Sequence, residues 1–265
     1  MTDIVNSIVF RFILINNSEK KMKKILLIGA LFASGASFAQ CDITNAQNAW
    51  DNVREDVATQ MDVVAPGMAG TACLLTVNST ASNADRARVQ DRSPNCESSF
   101  RAHFLVNVDA LGSLAANERT KLYNVQCITG DAGGCDGIGM VQLRLQGDGA
   151  GTNILRSFVA DANQADLRTR FDVPLVAGQN SVEIQWVRAS SDAASDGIFR
   201  AWYPGNTVEA APSFEVTNLD NFGYCVDQVN LGLIKATNAW ATNKAGANIN
   251  LDEYESRRVS AISLN

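Results

Sequence analysis

Apolar and polar residues alternate with period two along four stretches of this chain. Phe100, Ala102, Phe104 and Val106 alternate with Arg101, His103, Leu105 and Asn107. Val141, Leu143 and Leu145 alternate with Gln142, Arg144 and Gln146. Leu167, Thr169, Phe171 and Val173 alternate with Arg168, Arg170 and Asp172. Val182, Ile184 and Trp186 alternate with Glu183, Gln185 and Val187. Successive side chains of an extended strand leave opposite faces, so this period marks half-buried strands. Less regular apolar runs predict further strands over residues 74–77, 86–90, 122–128, 154–160, 198–203, 229–235 and 253–262. Turn signals separate them, among them Ser93-Pro94-Asn95, Gly147-Asp148-Gly149 and Ala177-Gly178-Gln179-Asn180. Many short strands joined by polar turns predict an all-β sandwich or jelly roll. Helix is sparse: residues 45–59 form the best stretch, with Trp50 and Val53 facing the sandwich, and residues 115–121 could make one turn. Trp186 reads as core, and Trp240 lies in a predicted loop. With no linker and no internal repeat, residues 40–265 read as one domain.

The first 39 residues read differently. Met22-Lys23-Lys24 precedes the apolar run from Ile25 to Ala33, and Ser37-Phe38-Ala39 ends it before Gln40. A basic start, a short apolar run and a small-residue cleavage pattern make residues 22–39 an export signal. The apolar run is short for a membrane span, so no span is expected once the signal is removed. Residues 1–21 read as an extension upstream of the natural start at Met22. The protein is expected to be secreted or periplasmic.

Charge then narrows the partners. The chain of 265 residues has 22 Lys+Arg, 28 Asp+Glu and one histidine. Residues 1–39 hold five of the basic and two of the acidic groups, so the remainder carries a net charge of −9. That balance argues against nucleic acid, whose phosphates need clustered Lys and Arg. After residue 39 there are three lysines and fourteen arginines. Arginine suits bidentate contacts to carboxylates, which tilts the ligand towards acidic or hydroxyl-rich partners.

All six cysteines, Cys41, Cys73, Cys96, Cys127, Cys135 and Cys225, follow the signal. An even number in an oxidising compartment predicts disulfides. Cys127 and Cys135 flank a short Gly- and Asp-rich loop and are expected to pair. Cys73 and Cys96 flank a predicted strand pair, which leaves Cys41 for Cys225. There is no C-x-x-C pair and no second histidine, so a zinc site is not expected.

The second half of the chain adds a resemblance. Val182-Glu183-Ile184-Gln185-Trp186-Val187 is followed by a polar loop and Gly197-Ile198-Phe199-Arg200-Ala201-Trp202-Tyr203-Pro204-Gly205. Leu219-Asp220-Asn221, Val229-Asn230-Leu231-Gly232-Leu233 and Leu251-Asp252-Glu253-Tyr254-Glu255-Ser256-Arg257-Arg258 follow in order. With Phe100-Arg101-Ala102-His103-Phe104, this series resembles the concanavalin A-like (laminin-G-like) lectin and glucanase superfamily over roughly residues 70–262. The resemblance implies a jelly-roll β-sandwich of two antiparallel sheets, here with a short N-terminal helical segment. It implies a concave face where relatives hold glycans or peptides.

The catalytic branches of that superfamily can each be compared. Glucanase relatives carry Glu-x-Asp-x-x-Glu on one strand, which aligns carboxylates on one face. Here Asp252-Glu253-Tyr254-Glu255 places Glu253 and Glu255 on one face, but Ser256 and Arg257 follow and the third carboxylate is missing. Alginate-lyase relatives use Gln-x-His with a Tyr and an Arg. Gln126-Cys127-Ile128 lacks that histidine, and His103 sits on another strand beside Arg101. No Gly-x-Ser-x-Gly and no phosphate-binding glycine loop occurs.

The remaining candidates are binding residues. Arg101, His103, Tyr123, Gln142, Arg144, Trp202 and Tyr203 are the polar and aromatic groups expected to meet a sugar. Asp131 and Asp136 are the candidate metal ligands, with Asp148, Asp192 and Asp196 in similar loops. Ca²⁺ takes several oxygen ligands from such loops, although Asp and Gly also favour turns for backbone reasons. No cofactor other than Ca²⁺ is expected. These residues predict a non-catalytic binding module whose partner is a glycan or an extracellular protein, carbohydrate being favoured. The alternatives are a structural or protein-interaction sandwich and a divergent glycoside hydrolase or polysaccharide lyase.

Overall fold

The computed structural model describes residues 41–128, 135, 137–162, 169–203 and 211–258. Helix α1 (Ile43–Ala49) precedes β1 (Asn52–Glu55), β2 (Met61–Val64), β3 (Leu74–Asn78), β4 (Ala87–Asp91) and β5 (Ser99–Asn107). Then come β6 (Arg119–Cys127), β7 (Ile138–Gly147), β8 (Asn153–Val159), β9 (Thr169–Pro174), β10 (Gln179–Val187) and β11 (Gly197–Trp202). The chain continues through β12 (Phe214–Leu219), β13 (Gln228–Ala236), α2 (Asn238–Lys244) and β14 (Asn248–Arg257). Two antiparallel seven-stranded sheets result. The first runs β1-β4-β13-β6-β7-β8-β9 and the second β12-β11-β10-β5-β14-β3-β2. This is the jelly-roll sandwich that the alternation predicts.

The alternation decides which face each strand buries. Phe100, Ala102, Phe104 and Val106 of β5 and Val182, Ile184 and Trp186 of β10 point inward from the second sheet. Val89, Tyr123, Val125, Val141, Leu143 and Leu145 meet them from the first. Trp186, Phe100 and Phe104 are fully buried, and each large apolar side chain removed from water contributes about 1.5–3 kcal/mol.

Three disulfides cross-link the described residues: Cys41–Cys73, Cys96–Cys225 and Cys127–Cys135. The local pair is the expected one, and the other four cysteines exchange partners relative to the sequence reading. The reason is strand adjacency. Cys73 precedes β3 in the second sheet, while Cys96 follows β4 in the first, so the two do not lie on one strand pair. β4 is instead a neighbour of β13, and the bridge between Glu97 and Val226 brings Cys96 against Cys225. Helix α1 packs by β2, which brings Cys41 to Cys73.

Other departures have local causes. Helix α1 is capped by Asp42, whose carboxylate accepts the Thr44 N–H, and it ends at Ala49 rather than running to residue 59. Val53 is claimed by pairing with Val89 across β1 and β4, so tertiary pairing overrides the helical pattern. Residues 115–121 make a single turn, in which the Glu118 N–H donates to the Ala115 carbonyl oxygen at 3.0 Å, and then enter β6. Trp240 lies in α2, almost fully buried, and its indole N–H donates to Ser79 Oγ at 2.7 Å. It caps the core rather than standing in the predicted loop.

Candidate functional site

The outer face of the first sheet is built by two interruptions of strand alternation. Along β6 the register with β7 shifts between Lys121 and Tyr123. Lys121 and Asn124, an odd number of residues apart, therefore both face outward, opposite Arg144 and Gln142. Along β13 the register with β6 shifts between Leu231 and Lys235, so that Asn230 and Lys235 share this face. Gly232 makes the second shift possible. Its φ is 125°, and a Cβ there would lie 2.4 Å from the Ala87 carbonyl oxygen. Bulges of this kind re-aim side chains next to functional sites.

The centre of this face is a chain of amides, buried at its middle. The Asn52 amide donates to Gln90 at 3.4 Å, Gln90 to Asn230 at 3.0 Å, and Asn230 to Gln126 Oε1 at 2.6 Å. Gln126 Oε1 also accepts from Gln228 at 2.8 Å. Gln90, Asn124, Gln142 and Asn230 are each at least 96% buried. That is unusual for polar groups on the outside of a sheet and shows that the face is recessed. Among the described residues, Asn124 Oδ1 has no hydrogen-bond partner. Gly139 leaves the room this cluster needs: a Cβ there would meet Gln142 Nε2 at 2.3 Å and Asn124 Oδ1 at 2.7 Å.

Beside the amides runs a row of cations. Lys235, Lys121, Arg144 and Arg156 are successive cross-strand partners on β13, β6, β7 and β8. Arg156 closes the row in a two-pronged contact with Asp172 at 2.6 Å for each bond, and the Asp172 carboxyl is held below the usual carboxylate range by that hydrogen bond. Arg144 lies over the Phe158 ring at 4.5 Å. Arg119, Lys121, Gln142, Arg144 and Lys235 line an open pocket of about 330 Å³. Among the described residues, no carboxylate lines it. Like charges directly opposite on neighbouring strands are unfavourable, and an anion between them reverses the sign.

The sequence-predicted residues divide among three places. Gln142 and Arg144 belong to this face. Arg101, His103 and Trp202 lie on the outer face of the second sheet, all buried. There Arg101 donates to Glu183 within a buried ion pair and stacks on Trp202 at 4.3 Å. His103 Nε2 lies 2.9 Å from Ser181 Oγ. Burial pushes its pKa down, against a hydrogen bond to the Glu253 backbone and the charge of Glu255. Tyr123 and Tyr203 point into the core, the first against Phe104 and the second with its hydroxyl 3.3 Å from Ser157 Oγ. These seven residues therefore do not form one sugar-binding surface. The bulge between Asp252 and Glu255 likewise separates Glu253 from Glu255, which were expected to share a face.

The loop aspartates mostly serve the backbone. Asp148 accepts the N–H groups of Ala150 and Thr152 at 2.6 and 3.0 Å, which lowers its pKa. Asp196 accepts the Ser190 N–H at 2.7 Å. Asp131 and Asp136 lie outside the described residues, as does the segment read as an export signal. Among the described residues, no helix is long and apolar enough to cross a membrane.

Solved structures now give this geometry a context. The chain is similar to the endo-β-1,4-glucuronan lyase of the fungus Trichoderma reesei, with 17% identity and a TM-score of 0.57 over 80% of this chain and 92% of that one. It is similar to the alginate lyase Aly36B, with 12% identity and a TM-score of 0.60 over 84% and 94% of the two chains. It is also similar to a family PL-14 alginate lyase of Aplysia kurodai, with 8% identity and a TM-score of 0.55 over 82% and 94%. At these identities the likeness establishes a shared β-sandwich fold. No protein-family model and no curated protein matches the sequence. The expectation of a non-catalytic binding module is overturned by these neighbours, which are mostly enzymes that cleave acidic polysaccharides. The sequence reading went astray because it looked for the Gln-x-His histidine, and Ile128 stands at that position.

Proposed function

We propose that this protein is a divergent polysaccharide lyase of concanavalin A-like fold that acts on a polyuronate held across the outer face of the first sheet. The row Lys235–Lys121–Arg144 carries the reading. Adjacent strands lie about 4.8 Å apart, roughly the length of one pyranose residue. A polymer lying across the strands would present one carboxylate to each cation if every sugar were a uronate. Of the amides beside the row, Gln142 lines the pocket and suits a sugar hydroxyl. Aly36B has been solved with alginate tri- and tetrasaccharides, which supports a glycan partner for this fold.

Lyase chemistry on a uronate removes the proton beside the carboxylate and breaks the C–O bond to the glycosidic oxygen, which takes up a proton as the hydroxyl of the released chain, leaving a double bond in the sugar. The carboxylate must be neutralised so that the carbanion formed on proton loss is stabilised. Arg144 would neutralise it and Gln142 would hydrogen-bond to it, both lining the pocket. In that step one of the two lysines lining the pocket, Lys121 or Lys235, would serve as proton acceptor in its neutral form while the other cations of the row hold the carboxylates. His103 is not available for it, being buried on the other sheet. The disulfides and the export signal read from residues 22–39 support work outside the reducing cytoplasm.

The test is cleavage specificity. The protein is incubated with polyglucuronate, with alginate, with a polymer in which uronates alternate with neutral sugars, and with a neutral glucan. Ultraviolet absorbance of unsaturated uronate ends should rise with a homopolyuronate first. No absorbance with any of them, from folded protein, overturns the reading.

A further inference from the structure

A second cavity, of about 340 Å³, opens between the two sheets beside α1. Its walls are largely apolar, with Leu74 and Leu251 among them, and include the rings of Trp50 and Tyr254, whose centroids lie 4.6 Å apart. Asp91, Asp252 and Glu253 also line it, and among the described lining residues none is cationic. Two of these carboxylates have local work. Asp252 accepts the Met68 N–H at 2.6 Å and the Thr71 hydroxyl, and Asp91 accepts the Ser93 N–H at 2.8 Å. Glu253 sits at the β14 bulge with φ of 48°, and burial and the charge of Asp252 raise its pKa.

Tyr254 belongs to this wall, with Tyr123 packed against it at 6.4 Å between ring centroids. Tyr123 is fully buried, and the Asp91 charge reaches both its hydroxyl and that of Tyr254. The two hydroxyls interact with each other, and that of Tyr254 also with Ser256.

We propose that this cavity binds a small organic cation, an aromatic or aliphatic ammonium, independently of the polysaccharide face. The apolar body sits against Trp50 and Leu251, and the ammonium reaches Glu253 and Asp91. Aromatic rings favour a cation over their faces. Three carboxylates oppose an anion. A neutral apolar molecule would cover the carboxylates without satisfying them. The sign of the lining is opposite to that of the polysaccharide pocket, so one ligand does not suit both.

Calorimetric titration of the oxidised full-length protein with phenethylammonium and with its neutral counterpart, phenethyl alcohol, tests this. The ammonium should bind about tenfold or more tightly than the alcohol, as expected for a charge-assisted contact. Glu253→Gln should remove most of that advantage, and Ala49→Leu, which fills the cavity, should abolish binding of both. Equal affinity for the two probes, no effect of Glu253→Gln, or no binding of either probe to the unaltered protein overturns the proposal.

Discussion

Lys235 and Lys121 are direct cross-strand partners on the outer face of the first sheet, and Arg144 is the next member of the same row. A protein that holds three cations side by side does so at a cost. Removing one of a like-charged pair should stabilise the unliganded protein by about 0.2–1 kcal/mol at low ionic strength. Urea unfolding of Lys235→Ala, at low and at high salt, should show a gain that salt diminishes. The same variant should gain less from added polyglucuronate than the unaltered protein does, because the anion has lost a partner.

Gly139 is a sharper test of the amide cluster. A methyl group there collides with the ends of the Gln142 and Asn124 side chains rather than with backbone. Gly139→Ala should therefore leave the fold intact, with an unfolding midpoint close to that of the unaltered protein. It should displace the amides and cut polyuronate binding about tenfold, a loss comparable to one charge-assisted hydrogen bond. Parallel thermal unfolding and affinity measurements separate the two effects.

Arg101 and Glu183 form an ion pair whose side chains are 7% and 2% exposed. Glu183→Gln or Arg101→Met alone strands a buried partner and should cost about 3–5 kcal/mol. The double variant should recover much of that loss. Denaturant titration of the three variants checks this, and lyase activity of the folded double variant should persist, since the pair lies on the other sheet.

His103 gives the fold a pH dependence of definite sign. Its pKa in the folded protein is pushed below the ordinary value of 6.5, chiefly by burial. The unfolded chain then binds the proton more readily. The stabilisation is complete above pH 6.5 and is lost as pH falls through the lowered pKa. His103→Gln should flatten this part of the curve, read as the difference in urea midpoint between variant and unaltered protein from neutral pH down to about 5. As the chain has one histidine, its titration can also be followed directly by NMR.

Much of this architecture was legible in the alternation of β5, β7 and β10, because one face of each strand is core and period two records it. β1, β2 and β12 were not legible. They are short, and β1 and β12 carry little buried surface, so their pattern is weak. Half of the polar face could be read as well, since Gln142 and Arg144 keep strict alternation. Lys121 and Lys235 could not, because bulges place them out of phase with their own strands. Gly232 is the residue that hinted at one bulge. Tyr203 misled for a related reason. It adjoins Trp202 in sequence, but a strand sends neighbours to opposite faces, and burial turns its hydroxyl towards Ser157. The disulfide exchange followed from pairing between distant strands, which no local spacing encodes.

The most direct measurement is the release of unsaturated uronate ends from polyglucuronate and alginate by the unaltered protein, set beside Lys121→Ala, Lys235→Ala and the double variant. Steady growth of ultraviolet absorbance with the unaltered protein, reduced in each single variant and absent in the folded double variant, is the predicted result. Absence of product with the unaltered protein, or undiminished product with the double variant, would contradict the assignment of this cationic face as a lyase site.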